Sequence, residues 1–343
     1  MKNLETFYIK QDERIQKVIE KININKKQFL AIINEQHKLV GTITDGDIRR
    51  GFLNGVSIDD QASKIMNQNP IKSSNLENRE FIVTLMTKGK VKQCPLVDKN
   101  DVLKDIYFYD DVDNTEIVNN YIIIMAGGLG TRLMPITRDI PKAMVEVKGK
   151  PLLEQMILNL KSEGFTNFFI SVNYLSEIII EYFGNGEKLG IKIDYIKENK
   201  RMGTAGALSL IKKIPAEPIL VLNCDLVTNL SYKNILNYHL DCNSKATMAI
   251  KRFKKNLPYG VIETKKDRII SFVEKPLEQY DINAGIYVFD PIVLSYIPKN
   301  TYYDMTEFFN NLIEKDIEPL AFPIYESWND IASLDDIKIV NKQ

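Results

Sequence analysis

The chain has 343 residues, 44% of them hydrophobic, and its 45 Lys+Arg are balanced by 45 Asp+Glu. That length and apolar content suit two domains with cores of their own. A net charge of zero offers no field for a nucleic-acid or membrane partner, and the apolar runs are strand length, well short of the ~20 residues that span a bilayer. Three cysteines, Cys94, Cys224 and Cys242, show neither metal spacing nor an even framework. They fit a reducing cytoplasm, as does a polar start with no signal-peptide core. The two histidines, His37 and His239, are too few for a histidine triad or zinc site and read as surface or satisfied core residues.

The first part, residues 1–116, contains a near-repeat, with one unit at about 9–66 and a second at about 67–112. In the first unit Asp12 to Ile22 has helical spacing, Phe29–Ile33 is a buried strand, and Lys38–Thr44 is a strand leading into Asp45-Gly46-Asp47-Ile48-Arg49-Arg50. The second repeats the order, with a helix over Leu76–Met86 and strands over Gln93–Val97 and Val102–Ile106. The run V-G-T-I-T-D-G-D-I-R-R, in which Gly41 allows the turn and Thr44 and Asp47 stand three apart at a helix start, resembles a CBS domain. That resemblance implies a compact α+β pair in which Thr44 reaches a phosphate and Asp47 the ribose hydroxyls of a regulatory nucleotide. The competing reading is that Asp47 only caps the helix. The second unit lacks the Gly-x-x-Thr before Asp110 or Asp111, so its pocket is doubtful. Such a pair either regulates the chain, through an adenine nucleotide or a pathway product, or serves only to dimerise it.

An acidic, polar stretch, Tyr109–Glu116 with Asn119 and Asn120, reads as the linker. From Tyr121, strands alternate with helices, which implies a Rossmann-like, mostly parallel α/β sheet over 120–343. Strand Tyr121–Met125 runs into Gly127-Gly128-Leu129-Gly130-Thr131-Arg132, with Pro141-Lys142 beyond. A strand that ends in a glycine turn presents backbone N–H groups to phosphates, and Arg132 and Lys142 add fixed positive charge. A third fingerprint glycine and a G-K-[ST] ending are both missing, which argues against a dinucleotide oxidoreductase and an ATPase loop. Pro135 also stops a long helix from starting here.

The later elements are a helix over Pro151–Lys161, a strand over Phe168–Val172, a helix over Ser176–Phe183 closed by Gly184, and a strand over Ile191–Ile196. Glu198 then precedes the loop Gly203-Thr204-Ala205-Gly206, and the buried strand Ile219–Cys224 ends on Asp225. Ligands of such sheets sit beyond the carboxyl ends of the strands, where all three of these loops fall.

The spacing G-G-x-G-T-R-L-x-P-x-T followed by P-K-A-M resembles the sugar-1-phosphate nucleotidyltransferases, and the likeness spans Tyr121 to about Ile339. It implies that Gly127, Gly128, Gly130 and Thr131 wrap the nucleotide with Gly203 and Thr204, that Arg132 holds the triphosphate, and that Lys142 stabilises the α-phosphate. It implies Mg²⁺ on Asp225 and on Asp330 of Trp328-Asn329-Asp330-Ile331, and a sugar phosphate held by Gly260, Glu274, Lys275 and Asn283. Glu198 stands where relatives using uridine or thymidine nucleotides carry glutamine. An ionised carboxylate only accepts, so it suits the adjacent N–H donors of guanine, unless Glu198 is merely a solvated loop charge.

The paired module ahead of this half resembles the guanylyltransferases of bacterial legionaminic acid and related surface-sugar pathways. GTP and glucosamine 1-phosphate are then the implied substrates, in a cytoplasmic homo-oligomer. Mannose- or heptose-1-phosphate guanylyltransferase is the alternative within the class. A nucleotide sensor with an inactive transferase half is the alternative outside it.

Overall fold

A computed structural model describes residues 4–25, 27–74, 79–108 and 117–342. The chain divides into two compact units, Met1–Asn114 and Thr115–Gln343. The Tyr109–Glu116 linker lies outside the described residues. No helix among the described residues is long and apolar enough to cross a membrane.

The first unit contains β1 (Tyr8–Lys10), α1 (Ile15–Asn25), β2 (Phe29–Ile33), β3 (Leu39–Thr44) and α2 (Asp45–Leu53). After these come α3 (Arg79–Gly89), β4 (Gln93–Val97) and β5 (Leu103–Phe108). The order helix–strand–strand occurs twice, as the sequence repeat implies. β2 and β3 pair antiparallel, as do β4 and β5, and Phe29, Leu39, Val97, Leu103 and Phe108 share one apolar cluster. Gly41 does not turn the chain. It sits inside β3, where a Cβ would stand 2.8 Å from the Asn67 carbonyl oxygen, so the requirement is close approach. Thr44, rather than Asp47, is the N-cap of α2. Each side chain accepts the other's backbone N–H in a capping box.

The second unit begins with β6 (Val118–Met125), three residues earlier than the apolar run predicts. Asn119 and Asn120 therefore belong to a strand rather than to a linker, and Asn120 donates to the Pro218 carbonyl at 2.7 Å. A short hairpin of β7 (Glu146–Val147) and β8 (Lys150–Pro151) turns through Lys148 and Gly149, both at positive φ. Next come α4 (Leu152–Ser162), β9 (Phe165–Val172), α5 (Ser176–Phe183), β10 (Lys192–Lys197), the single turn α6 (Gly203–Gly206), β11 (Ile219–Asn223) and β12 (Leu226–Thr228). The chain continues through α7 (Tyr232–Asp241), β13 (Ala246–Asn256), β14 (Val261–Lys265), β15 (Arg268–Val273) and β16 (Leu277–Phe289). It closes with α8 (Met305–Glu314), β17 (Leu320–Ile324), β18 (Trp328–Asp330) and α9 (Leu334–Lys342).

Seven strands form the central sheet in the order β10-β9-β6-β11-β16-β13-β17. Only β16 runs antiparallel to its neighbours, so the sheet is mostly parallel, as expected. The alternation of a strand sends Ile122 and Ile124 to one face and Ile123 to the other, and helices cover both. On one side α4 supplies Leu153, Met156, Ile157 and Leu160 at helical spacing. On the other α8 supplies Met305, Phe308, Phe309 and Leu312. Each such side chain contributes roughly 1.5–3 kcal/mol when fully buried. At the start of α7, Ser231 makes no side-chain cap. Instead Glu163, from the end of α4, accepts the backbone N–H groups of Tyr232 and Lys233 at 3.1 and 2.8 Å.

His37 is exposed, whereas His239 is buried on α7 with Nδ1 2.9 Å from Thr247 Oγ1. Burial pushes the His239 imidazole down to about 4. Its folded value lies below the unfolded one, so its stabilising contribution is complete above about pH 6.5 and is lost as pH falls towards 4. Wild type is expected to lose on the order of 3 kcal/mol more than His239→Gln over that window. Denaturant midpoints of both proteins at pH 7 and pH 4.5 check this, and parallel losses would exclude it.

Candidate active site

The carboxyl ends of β6, β10 and β11 open onto one cavity of about 480 Å³, a size suited to a nucleotide. Its lining includes Gly127, Gly128, Gly130, Thr131, Arg132, Lys142, Glu198, Gly203, Thr204, Asp225 and Asp330. Every residue predicted for the phosphate, base and metal side is therefore brought to one place.

The glycine loop is shaped by local contacts. Gly130 is left-handed at φ 65°, and its carbonyl accepts Thr137 Oγ1 at 2.8 Å. A Cβ at Gly128 would meet nothing within 4 Å, whereas one at Gly127 would stand 2.4 Å from Glu198 Oε1. Beyond Gly130, the single 3-10 turn Thr131–Leu133 leaves Thr131 and Arg132 exposed and buries Leu133. Leu133 joins Val145, Val147, Leu152 and Ile331 in a small apolar cluster. Arg132 and Asp330 are thus sequence neighbours of residues anchored in the same cluster.

Asp225 follows β11, and Asp330 ends β18. β12 and β18 pair antiparallel with Leu226 opposite Asp330, and the Ile331 N–H donates to the Asp225 carbonyl at 2.9 Å. This two-stranded ladder brings together two acids 105 residues apart. Lys142 Nζ donates to Asp225 Oδ2, with side chains only 12% and 17% exposed, so solvent screens the pair weakly. Burial, and then the Asp225 charge, raise the Asp330 carboxyl, while Lys142 and Arg132 oppose the rise. Asp225 Oδ1, Asp330 Oδ1 and Asn223 Oδ1 are buried without a hydrogen-bond partner. Orphaned carboxylate oxygens on residues that line a cavity suit a hard cation. No group of three or more His, Cys, Asp or Glu side chains could hold a metal among the described residues. A cation here would take two carboxylates from the protein and the rest from phosphate or water, the usual manner of Mg²⁺.

Glu198 is not a solvated loop charge. It is half-buried, accepts Ser171 Oγ at 2.6 Å and the Met202 N–H at 3.3 Å, and its carboxyl is raised by burial against those two hydrogen bonds. Gly203 and Thr204 line the cavity, yet their tightest requirements come from the protein. Gly203 is at φ +74°, and a Cβ there would meet the Tyr303 carbonyl oxygen at 2.6 Å. Thr204 Oγ1 accepts the Met305 N–H at 2.8 Å. The loop is glycine-rich because the Thr301–Asp304 segment packs against it. That segment gives the cavity Tyr302 and Asp304, and Arg201, Asn223 and Ala332 line it as well. Sequence reasoning did not select these five as site residues. Only Asn223, two before Asp225 in a strand-end pattern, carried a signal.

The four residues predicted for the sugar phosphate do not line this cavity. Gly260, Glu274 and Lys275 flank the hairpin β14–β15, whose strands pair only with each other and are exposed throughout. A Cβ on Gly260 would stand 2.9 Å from Glu274 Oε2, so these two are adjacent. Asn283, on β16, accepts the Gly285 N–H at 2.9 Å, and Gly285 packs on Asn223 in the cavity wall.

In the first unit, Thr44 and Asp47 line a cleft of about 210 Å³ with Thr42, Arg50, Asn67 and Gln93. Thr44 Oγ1 donates to Asp47 Oδ2 at 2.7 Å, and Arg50 donates to Asp47 Oδ1 at 2.7 Å. Both belong to the capping box at the start of α2, with Thr44 as the N-cap and Asp47 at N3.

Residues 121–343 match the family model described as nucleotidyl transferase. Mannose-1-phosphate guanyltransferase beta-A of Xenopus laevis is 34% identical over 183 residues, covering 51% of each chain. The UTP–glucose-1-phosphate uridylyltransferase of Synechocystis sp. is 32% identical over 234 residues, covering 62% of this chain and 60% of that one. The chain thus spans between half and two thirds of the length of these curated relatives. Among solved structures, HddC from Yersinia pseudotuberculosis complexed with GMP-PN superposes with a TM-score of 0.51 at 27% identity, covering 65% of this chain and 98% of that chain.

Proposed function

This chain belongs to the nucleotidyl transferase family, and from that premise we propose that it joins GTP to a sugar 1-phosphate, with glucosamine 1-phosphate as the sugar. The products are GDP-glucosamine and pyrophosphate. The observation that carries the reading is that Asp225, Asp330 and Lys142 line one cavity with the glycine loop, and that each of the two acids has a buried carboxylate oxygen without a hydrogen-bond partner.

A phosphate oxygen of the sugar attacks the α-phosphorus in line. The new P–O bond forms as the bond to the β-phosphate breaks, and pyrophosphate leaves with the electron pair. No general base is needed, because a phosphate monoester is already ionised near neutrality. The protein's work is positioning and charge neutralisation. The glycine loop receives the triphosphate against its backbone, and Arg132 holds the β- and γ-phosphates and the departing pyrophosphate. Lys142 bears on the α-phosphate, where negative charge grows. Asp225 and Asp330 hold Mg²⁺, which when bound neutralises charge on the α-phosphate. Gly260, Glu274, Lys275 and Asn283 receive the sugar phosphate from the hairpin side.

The choice of GTP rests on Glu198, a carboxylate that can only accept hydrogen bonds and so matches the adjacent N1–H and N2–H₂ of guanine. The solved relative complexed with GMP-PN is consistent with a guanine nucleotide. Mannose 1-phosphate is the second reading for the sugar, favoured by the name of the Xenopus relative. Glucosamine 1-phosphate, and with it a place in bacterial legionaminic acid biosynthesis, rests on the likeness of the two-part arrangement. The first unit is the regulatory part, with a nucleotide in the cleft of Thr44 and Asp47. Binding there competes with the Thr44–Asp47 capping box.

A pyrophosphate-release assay with Mg²⁺ tests this, crossing GTP, UTP, dTTP and ATP with glucosamine, mannose and glucose 1-phosphates. Turnover confined to GTP and glucosamine 1-phosphate is expected. Turnover with GTP and mannose 1-phosphate alone would select the second reading, and a preference for UTP would overturn the role of Glu198. The same assay with added adenine nucleotides reads regulation through the first unit.

A further inference from the structure

Glu198 is fixed by a residue that lies outside the cavity lining. Ser171 sits one position before the end of β9, and its side chain is wholly buried. Its sheet neighbours are Met125 of β6 and Ile196 of β10, so it stands under the ends of both strands that open onto the cavity. Strand alternation puts its hydroxyl on the face of Phe169, opposite Phe168, Ile170 and Val172, and a hydroxyl buried there is costly unless it has a partner. Ser171 Oγ has one, Glu198 Oε1 at 2.6 Å. One residue further along β9, the Val172 carbonyl accepts the Glu198 N–H at 2.9 Å. The same strand end therefore fixes both the backbone and the carboxylate of Glu198. Gly127 leaves room for Oε1 on the cavity side, where any Cβ would displace it.

We propose that Ser171 is a positioning residue for base selection, holding Glu198 as an ionised acceptor whose remaining lone pairs face the cavity. The inference rests on the reading above that Glu198 takes the donors of guanine. To a carboxylate the hydroxyl can only donate, which fixes its polarity. A glutamine in the same place could accept from the hydroxyl through its amide oxygen, and its NH₂ would then offer uracil a donor that a carboxylate lacks. The donated hydrogen bond also opposes the effect of burial on Glu198. Without it, Glu198 would take up a proton at higher pH and lose its acceptor-only character.

The test is equilibrium binding of GTP and UTP to the full chain between pH 5.5 and 8. It compares wild type with Ser171→Ala, Ser171→Thr and Glu198→Gln. Ser171→Ala is expected to weaken GTP about tenfold, the effect of losing one hydrogen bond to a charged group. UTP should be unchanged, and the pH at which GTP affinity falls should move upward. Ser171→Thr keeps the hydroxyl and should restore both. Should Ser171→Ala fail to fold, Ser171→Cys, a weak donor of similar size, is read in the same way. A change in the GTP-to-UTP ratio with Glu198→Gln but none with the Ser171 variants would overturn the role of Ser171. An unchanged ratio with Glu198→Gln would overturn the base reading itself.

Discussion

Asp225→Asn is expected to lower turnover by about a thousandfold while leaving the fold intact. The amide keeps the shape of the carboxylate but removes the charge that, in the proposed reading, holds the cation with Asp330 and orders the α-phosphate. In the barrier this is about 4 kcal/mol. Folding should change little, because two effects oppose each other. The ion pair with Lys142 is lost, but Asp330 no longer faces a like charge, and Lys142 remains to balance it. Pyrophosphate release across a range of Mg²⁺ concentrations, together with denaturant midpoints, checks the prediction. Turnover within tenfold of wild type at saturating Mg²⁺ would remove Asp225 from the metal site.

Lys142→Met should damage both activity and stability, and the stability loss should depend on pH and on Mg²⁺. Methionine replaces the apolar stem of lysine but not its charge. Asp225 and Asp330 are then left side by side in a largely buried site without their nearest cation. Breaking a buried pair by removing one partner costs about 3–5 kcal/mol, and the residual exposure here reduces that to roughly 2 kcal/mol. The Asp330 carboxyl, already raised, should rise further. Its folded value then lies well above its unfolded one, so the variant is closest to wild type in acid and loses stability as pH rises through the folded value. Mg²⁺ should restore part of the loss at pH 8, since it binds the folded state. Turnover should fall by about 10²–10³. Unfolding midpoints at pH 5 and pH 8, with and without Mg²⁺, decide the matter. An equal loss at both pH values with no response to Mg²⁺ would show that Lys142 is not the counter-charge of the two acids.

Much of the α/β half is legible in the sequence, because strand and helix periods differ and glycines mark the strand ends. Ile122 to Met125 followed by Gly127 and Gly128 could hardly fold otherwise, and α4 lies one residue from its predicted span at each end. What escaped notice depends on distant pairing. Asn119 and Asn120 are polar enough to pass for a linker, yet they lie within β6, which starts at Val118 because β9 offers it a partner at Phe165. The glycines of Gly203–Gly206 look like a ligand cradle, but they accommodate a segment a hundred residues later. Glu163 gives no local sign that it caps α7, since a cap supplied from another helix leaves no spacing to read. The acids Asp225 and Asp330 are each visible at a strand end. That they meet was implied by a family likeness, and the β12–β18 ladder is the physical reason.

That ladder also fixes a moment in the life of each molecule. During synthesis the glycine loop, Lys142 and Asp225 leave the ribosome well before Asp330, which follows Asp225 by 105 residues. At roughly 5–20 residues per second, the wait is on the order of 5–20 s. Through that interval a nascent chain has its glycine loop, Lys142 and one acid, but not the second. The last strand to arrive, β18, is therefore the one that sets the second acid beside the first.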